Sequence, residues 1–470
     1  MGVRYTQVKK LASTEALRRH LAGLGVEVPV DDEVDPNGVL ATPLDVVDAG
    51  AGTLRVPNRF AALPMEGWDA TVDGRPTDLV RRRWARLGSS GCGLVWGEAT
   101  AVRPDARANP NQLVLDESTV DGIAALRDLL GQEQVAGLQL THSGRWSRPG
   151  GRPAPRTAYE HPLLDRRVGA SASDVLGDDE LDELVAGFVS AAVLAEQAGF
   201  DFVDVKHCHG YLLHELLSAT GRPGRYGGDL AGRTRFLRSV VSGIRASAPG
   251  LAVAVRLSAF DLVPHVAGDD GTGVPETTGP YHHAFGGDGT GLGIDLGEAH
   301  AFLDLLAELG VGLVGITAGS PYYTPHVQRP AYFPPSDGYQ PPEDPLVGVA
   351  RHLAVTAELA AAHPTLALVG SGYSYLQDWV PHVAQAVVAS GGAAMVGLGR
   401  MVLSYPDLPA DVLAGRPVQR RLVCRTFSDC TTAPRNGLVS GCYPLDPFYK
   451  EHPQRVELTR AKRAARPSPR

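Results

Sequence analysis

Eight short apolar segments recur along the chain, and a longer helix-like stretch follows each one. This alternation limits the fold more than any other feature. The segments are 59–65 (RFAALPM), 93–98 (GLVWGE), 135–141 (VAGLQLT), 200–206 (FDFVDVK), 251–257 (LAVAVRL), 311–317 (VGLVGIT), 365–370 (TLALVG) and 394–398 (AMVGL). Their length and near-continuous apolarity suit strands buried on both faces of a parallel sheet. Between them lie helical stretches such as 178–198 and 346–362. The first of these is entered by acidic residues, which suit a helix amino terminus. Strand followed by helix, eight times over, is the count for an α/β (β/α)₈ TIM barrel. A doubly wound open sheet is the alternative, but no G-x-G-x-x-G follows the first segment.

The pattern divides the chain into an amino-terminal extension (1–50), a barrel (51–415) and a carboxyl-terminal extension (416–470). Within the first, residues 7–25 read as an amphipathic helix with Leu11, Leu17, Leu21 and Leu24 on one side. Residues 26–50 read as a connecting arm. The tail 415–470 is basic at its end and is expected to fray. Two loops exceed ordinary connections: 261–296 after strand 5, and the proline- and tyrosine-rich 319–345 after strand 6. Both leave the carboxyl ends of strands, so both are expected to cover the active-site face.

A net charge of -8 and a pI near 6.0 attract neither nucleic acid nor an anionic membrane. The start, MGVRYTQVKK, lacks the apolar core of a signal peptide, and no apolar run reaches spanning length. Met1-Gly2 with Thr6 fits the loose myristoylation pattern, which is short enough to be met by chance. Five cysteines scattered over 470 residues suggest a reducing, cytoplasmic compartment rather than a disulfide framework.

The chemistry concentrates in DFVDVKHCHGYLLHELLSATGRPGRYGGDLAGRTRF, residues 201–236. A buried strand ends there in Lys206, His207, His209, Tyr211 and His214. Any one of these histidines alone is best read as an ordinary loop residue. Clustered at the carboxyl end of a barrel strand, they point to an active site.

This stretch resembles the Old Yellow Enzyme family, the FMN-dependent NADH:flavin oxidoreductases. The resemblance rests on Lys206-x-x-His209, Gly210-Tyr211-Leu212, Leu217-Ser218, Arg225, Tyr226-Gly227-Gly228 and Arg233-Thr234-Arg235-Phe236. It implies a barrel holding FMN, reduced by NADH or NADPH, that acts on a small molecule with an activated double bond. Whether the chain forms a homo-oligomer stays open at this point.

The resemblance carries over residue by residue. Gln139 in GLQLTHSGR would hydrogen-bond the flavin pyrimidine, and Arg256 would sit near the N1–C2 edge, where a cation favours the reduced flavin. Pro64 and Met65 match the family's Pro-Met beside the ring. Glu66 stands where Thr or Cys is common, near C4 and N5. Ala99 would leave room for the ring. Gly370, Ser371 and Gly372 after strand 7, with Gly399 and Arg400 after strand 8, would cradle the phosphate. For each, the plain alternative is core packing or a surface ion pair.

His209 and Tyr211 match the family's substrate-binding histidine and its proton-donating tyrosine, while Lys206 departs from the usual first histidine. A lysine there could hold an enolate oxygen or a substrate carboxylate. Because amine-oxidising relatives also change this pair, an FMN-dependent amine dehydrogenase or desaturating oxidase stands as the alternative. A ligand-binding barrel without redox turnover is the third reading. Larger relatives bind a 4Fe–4S cluster through C-x₂-C-x₃-C-x₁₁-C. Here Cys430-x₁₁-Cys442 keeps the last interval, Cys424 lies one residue off the first, and the second is not a cysteine. Three thiolates in place of four lead us to expect no cluster and no other metal.

Overall fold

The computed structural model describes residues 5–464. Met1–Arg4, where the myristoylation pattern begins, and the basic residues 465–470 lie outside that range. All eight expected strands form, as β1 (Phe60–Ala62), β2 (Leu94–Ala101), β3 (Val135–Thr141), β4 (Phe202–Val205), β5 (Ala252–Ser258), β6 (Leu313–Thr317), β7 (Ala367–Gly370) and β8 (Met395–Leu398). They pair in parallel in chain order, and β8 closes on β1 through Val396–Phe60 to Leu398–Ala62. Every residue of these strands is buried, which is why they read as largely apolar runs.

The amino-terminal end of the barrel is plugged. Leu44–Asp48 and Gly52–Val56 form an antiparallel hairpin, so the division drawn at residue 50 falls in its turn. Val46 and Val56 pack with Leu94, Trp96, Phe202 and Met395 inside the barrel. Asp48, almost fully buried, caps the turn through the amides of Gly50 and Ala51 and pairs with Arg245. With that end closed, the opposite end is left for function, as parallel barrels require.

The amino-terminal segment forms a second layer outside β7 and β8. Its helix, Thr14–Gly23, is capped by Ser13, whose hydroxyl accepts from the Ala16 amide at 3.1 Å. Val8, Leu11, Leu17 and Leu21 pack with Tyr373, Tyr375, Leu376 and Val380. Leu24 only joins the edge of that cluster.

Two expectations need correction. The carboxyl-terminal segment does not fray over its described length. It folds into three short helices, Asp429–Arg435, Pro447–Glu451 and Arg455–Ala464, and returns across the open end of the barrel. Bidentate pairing of Arg82 with the buried Asp446, and a bond from the Trp68 amide to Ser440 Oγ, tie it down. The 261–296 loop contributes nothing to the wall of the main cavity. Its hairpin, His265–Ala267 with Gly273–Pro275, instead buttresses the 319–345 loop: the His265 amide donates to the Tyr323 carbonyl, and the His265 ring packs against His326 and Tyr339. Of the two long loops, 319–345 borders the cavity. No helix among the described residues is long and apolar enough to cross a membrane.

Candidate active site

At the carboxyl ends of the strands lies a cavity of about 210 Å³. Pro64, Met65 and Glu66 reach it from the turn after β1, and Gln139 from β3. Lys206, His209 and Tyr211 reach it from the turn after β4, and Arg256 from β5. Ser371, Gly372, Gly399 and Arg400 reach it from the ends of β7 and β8. Twelve residues chosen from the sequence for one site thus border one space. Ala99 and Gly370 do not. Strand β2 runs on to Ala101, so Ala99 is an interior residue paired with Gln139, and its carbonyl accepts from Gln112. Gly370 leaves room for Tyr373, whose hydroxyl would lie 2.9 Å from an added Cβ. His207 and His214 also turn away. His207 Nδ1 bonds to the Val205 carbonyl, and His214 Nδ1 accepts from the Gly210 amide.

The floor of the cavity is organised by Asp204, a fully buried carboxylate that the sequence reading passed over. It accepts from Gln139 Nε2 at 2.5 Å, from Trp96 Nε1 at 2.8 Å and from the Arg256 amide at 2.8 Å. Burial pushes its carboxyl up to about 6 against those three donors. Since Asp204 holds the amide end of Gln139, the Gln139 carbonyl is left as an acceptor for an N–H donor in the cavity. Glu98, next to Ala99, anchors the turn after β1. It accepts from the Gly67 amide at 3.0 Å, from Trp84 Nε1 at 3.0 Å and from Arg83.

Beside β7 and β8 the wall is cationic and unsatisfied. Ser371 Oγ, one guanidinium nitrogen of Arg400 and one of Arg329 are buried with no partner. Arg400 spends its other terminal nitrogen on the Pro330 carbonyl at 2.7 Å, and Arg329 bonds Thr431. Burial and the neighbouring Arg435 and Arg400 charges press the Arg329 guanidinium below its usual range. Such donors are costly to leave empty, and they fit a phosphate. Gly372 is left-handed (φ 95°), a conformation that opens the backbone here and suits glycine. Arg256 Nε is likewise buried and unpartnered. These orphan donors, together with the Gln139 carbonyl, fit the phosphate and the polar edge of a bound FMN.

On the remaining side, Lys206 Nζ lies 3.6 Å from the centroid of the Tyr211 ring. Burial lowers the Lys206 ammonium and holds His209 well below the usual imidazole range. His209 has an unusual backbone (φ 67°), held by a bond from its amide to Ser258 Oγ and one from Ser320 Oγ to its carbonyl. That strain points the imidazole at Gln328, 3.2 Å away. Tyr211 donates to Glu66 Oε2 at 2.8 Å, and its hydroxyl lies 3.0 Å from that of Tyr322. Gln328 and Arg329 carried no signal in the sequence beyond lying in a long loop.

Cys430 borders the cavity. With Cys442 it also borders a smaller void of about 60 Å³ behind Met65 and Glu66. Burial pushes all three carboxyl-terminal thiols up. Among the described residues, no group of three or more His, Cys, Asp or Glu side chains is arranged to hold a metal ion.

A closed parallel barrel with these residues at its strand ends defines an Old Yellow Enzyme type of barrel. Residues 42–273 match the NADH:flavin oxidoreductase / NADH oxidase family. An NADPH dehydrogenase of Bacillus subtilis is 26% identical over 373 residues, covering 78% of this chain and 92% of that protein. A metal reductase of Desulforamulus reducens is 26% identical over 379 residues, 79% of this chain; the chain spans about half of that longer protein (49%). Among solved structures, the old yellow enzyme homologue from Zymomonas mobilis aligns with a TM-score of 0.56 at 22% identity. That alignment covers 88% of this chain and 99% of the homologue.

Proposed function

We propose that the protein is an FMN-dependent oxidoreductase that uses NADH or NADPH to reduce an activated C=C bond in a small molecule. One observation carries the reading. Unpartnered buried donors of Ser371, Arg329, Arg400 and Arg256 face the same cavity as the Lys206, His209 and Tyr211 group. FMN, when bound, would supply the hydride chemistry.

The chain's own residues would do the rest. Ser371, Arg329, Arg400 and the glycine backbones at 372 and 399 would hold the phosphate. Arg256 and Gln139 would hold the polar edge of the ring, with Asp204 fixing the amide. Lys206 and His209 would bind the substrate's activating oxygen and stabilise the negative charge that develops there. Tyr211 would deliver a proton to the α-carbon. The 319–345 loop and the carboxyl-terminal segment would exclude water.

The five free cysteines, three of them in the segment over the site, support a reducing compartment, and we place the protein in the cytoplasm. The division into extension, barrel and carboxyl-terminal extension is retained in this reading, with the last acting as a cover. Product analysis tests the assignment. With FMN, NADPH and cyclohex-2-enone under argon, saturated ketone should form. Oxidation of amines in air, with no enone reduction, would favour the dehydrogenase alternative.

A further inference from the structure

Glu66 occupies a position where the resemblance expects a small hydroxyl or thiol beside the ring. Its carboxylate is instead engaged with Tyr211. Asn109 donates to Oε1 at 3.3 Å, and the Tyr211 hydroxyl donates to Oε2 at 2.8 Å. Tyr322 continues the chain at 3.0 Å from the Tyr211 oxygen. Tyr322 and Asn109 both border a second, outer cavity of about 710 Å³, and Tyr322 is stacked on Trp146 at 4.4 Å. A continuous hydrogen-bonded path therefore runs from the outer cavity through Tyr322 to Tyr211, the group that would protonate substrate, and on to Glu66.

We propose that Glu66 is the proton reservoir for Tyr211, acting through it rather than on substrate. The inference rests on the ene-reductase reading of the same site. In the step, the Tyr211 O–H breaks as a C–H bond forms at the α-carbon. The Glu66 O–H then breaks as the Tyr211 O–H re-forms, and Glu66 regains a proton from water in the outer cavity, passed through the hydroxyls of Tyr322 and Tyr211. FMN, when bound and reduced by NAD(P)H, would supply the hydride, so charge and atoms balance.

The groups facing Glu66 set its proton affinity. Burial raises it, and Glu98 adds to the rise. Lys206 and the bonds from Tyr211 and Asn109 oppose it, and the net direction is upward. An ionised Glu66 also holds the Tyr211 proton tightly, and with burial it keeps the phenol well above its ordinary range. Tyr211 is thus a competent acid only while Glu66 is protonated. The competence is present below the raised Glu66 pKa and lost as pH rises through it.

The test measures the two half-reactions separately in wild type, Glu66→Gln and Tyr211→Phe, using NADPH and cyclohex-2-enone across pH. Wild type should lose substrate-reduction rate as pH rises through a value above the ordinary carboxylate range. Glu66→Gln should lose that limb and run substrate reduction slower by on the order of 10²-fold at the acid end. A merely structural Glu66 would leave the pH limb in place, and that result overturns the proposal. If Tyr211→Phe leaves substrate reduction untouched, the proposal is also overturned; if wild type forms no saturated ketone at any pH, the ene-reductase reading fails instead. Infrared difference spectra of the flavin-free protein give a readout independent of turnover. A protonated-carboxyl band should persist in wild type to a pH above the ordinary carboxylate range, shifted in Tyr211→Phe and missing in Glu66→Gln. Identical spectra of wild type and Glu66→Gln would also overturn it.

Discussion

Arg329→Ala should weaken FMN binding while sparing, or even stabilising, the flavin-free protein. In the flavin-free chain Arg329 is half-buried beside Arg400 and Arg435, has one buried unpartnered nitrogen and is pressed below its usual range by desolvation and those two charges. Removing it relieves both and loses only the bond to Thr431. With FMN bound, the same side chain would make one charge-assisted hydrogen bond to phosphate, a contact of about 1.5–3 kcal/mol. At about 1.4 kcal/mol per tenfold, Kd should rise by roughly 10- to 150-fold. Arg329→Lys should recover only part of this, because a point charge replaces the planar fork. The assay is fluorescence titration with FMN and with riboflavin, alongside thermal melts with and without flavin. The expected signature is opposite in sign in the two melts: the FMN-loaded variant melts lower than wild type, and the flavin-free variant does not. Riboflavin, lacking the phosphate, should bind wild type and variant alike. Equal binding of FMN by wild type and variant, or riboflavin binding wild type as tightly as FMN, would refute the phosphate assignment.

Three other outcomes are expected. Tyr211→Phe should slow substrate reduction by on the order of 10²–10⁴-fold and leave reduction by NADPH nearly intact; equal loss in both half-reactions, measured by stopped flow, would remove Tyr211 from its role. Lys206→Ala and His209→Ala should each weaken substrate binding, read as a smaller spectral shift on titrating ligand into the flavin-loaded protein; unchanged titrations would show that neither side chain faces the ring. Iron and sulfide analysis of anaerobically purified protein should find no cluster, and about four irons per chain, the content of a 4Fe–4S site, would overturn that expectation.

The barrel was legible because its strands are buried on both faces, so each of β1 to β8 appears as a short, largely apolar run, as a buried parallel sheet requires. Most of the cavity wall was legible for a related reason. Gln139, Lys206, Arg256 and Arg400 are polar interruptions at the ends of such runs, where nothing in a core explains them. Asp204 was an equally clear interruption, a carboxylate inside an apolar strand, and deserved the same inference. Arg329 and Gln328 could not be found this way. Their loop has no periodicity, and a half-buried arginine there looks in sequence like any surface cation. The carboxyl-terminal cover was misread for a physical reason too. Its helices are short, and its path turns through left-handed Thr426 (φ 51°) and Ser428 (φ 60°), conformations held by tertiary contacts such as Ser428 Oγ to the Phe333 carbonyl rather than by local propensity.

The central claim is that one cavity at the strand ends holds FMN and passes reducing equivalents to a C=C bond. Anaerobic titration of the FMN-loaded protein tests it most directly. One equivalent of NADPH should bleach the flavin absorbance, and subsequent addition of cyclohex-2-enone should restore it with formation of cyclohexanone. A chain that takes up no FMN, or whose bound flavin NADPH does not bleach, would contradict the account.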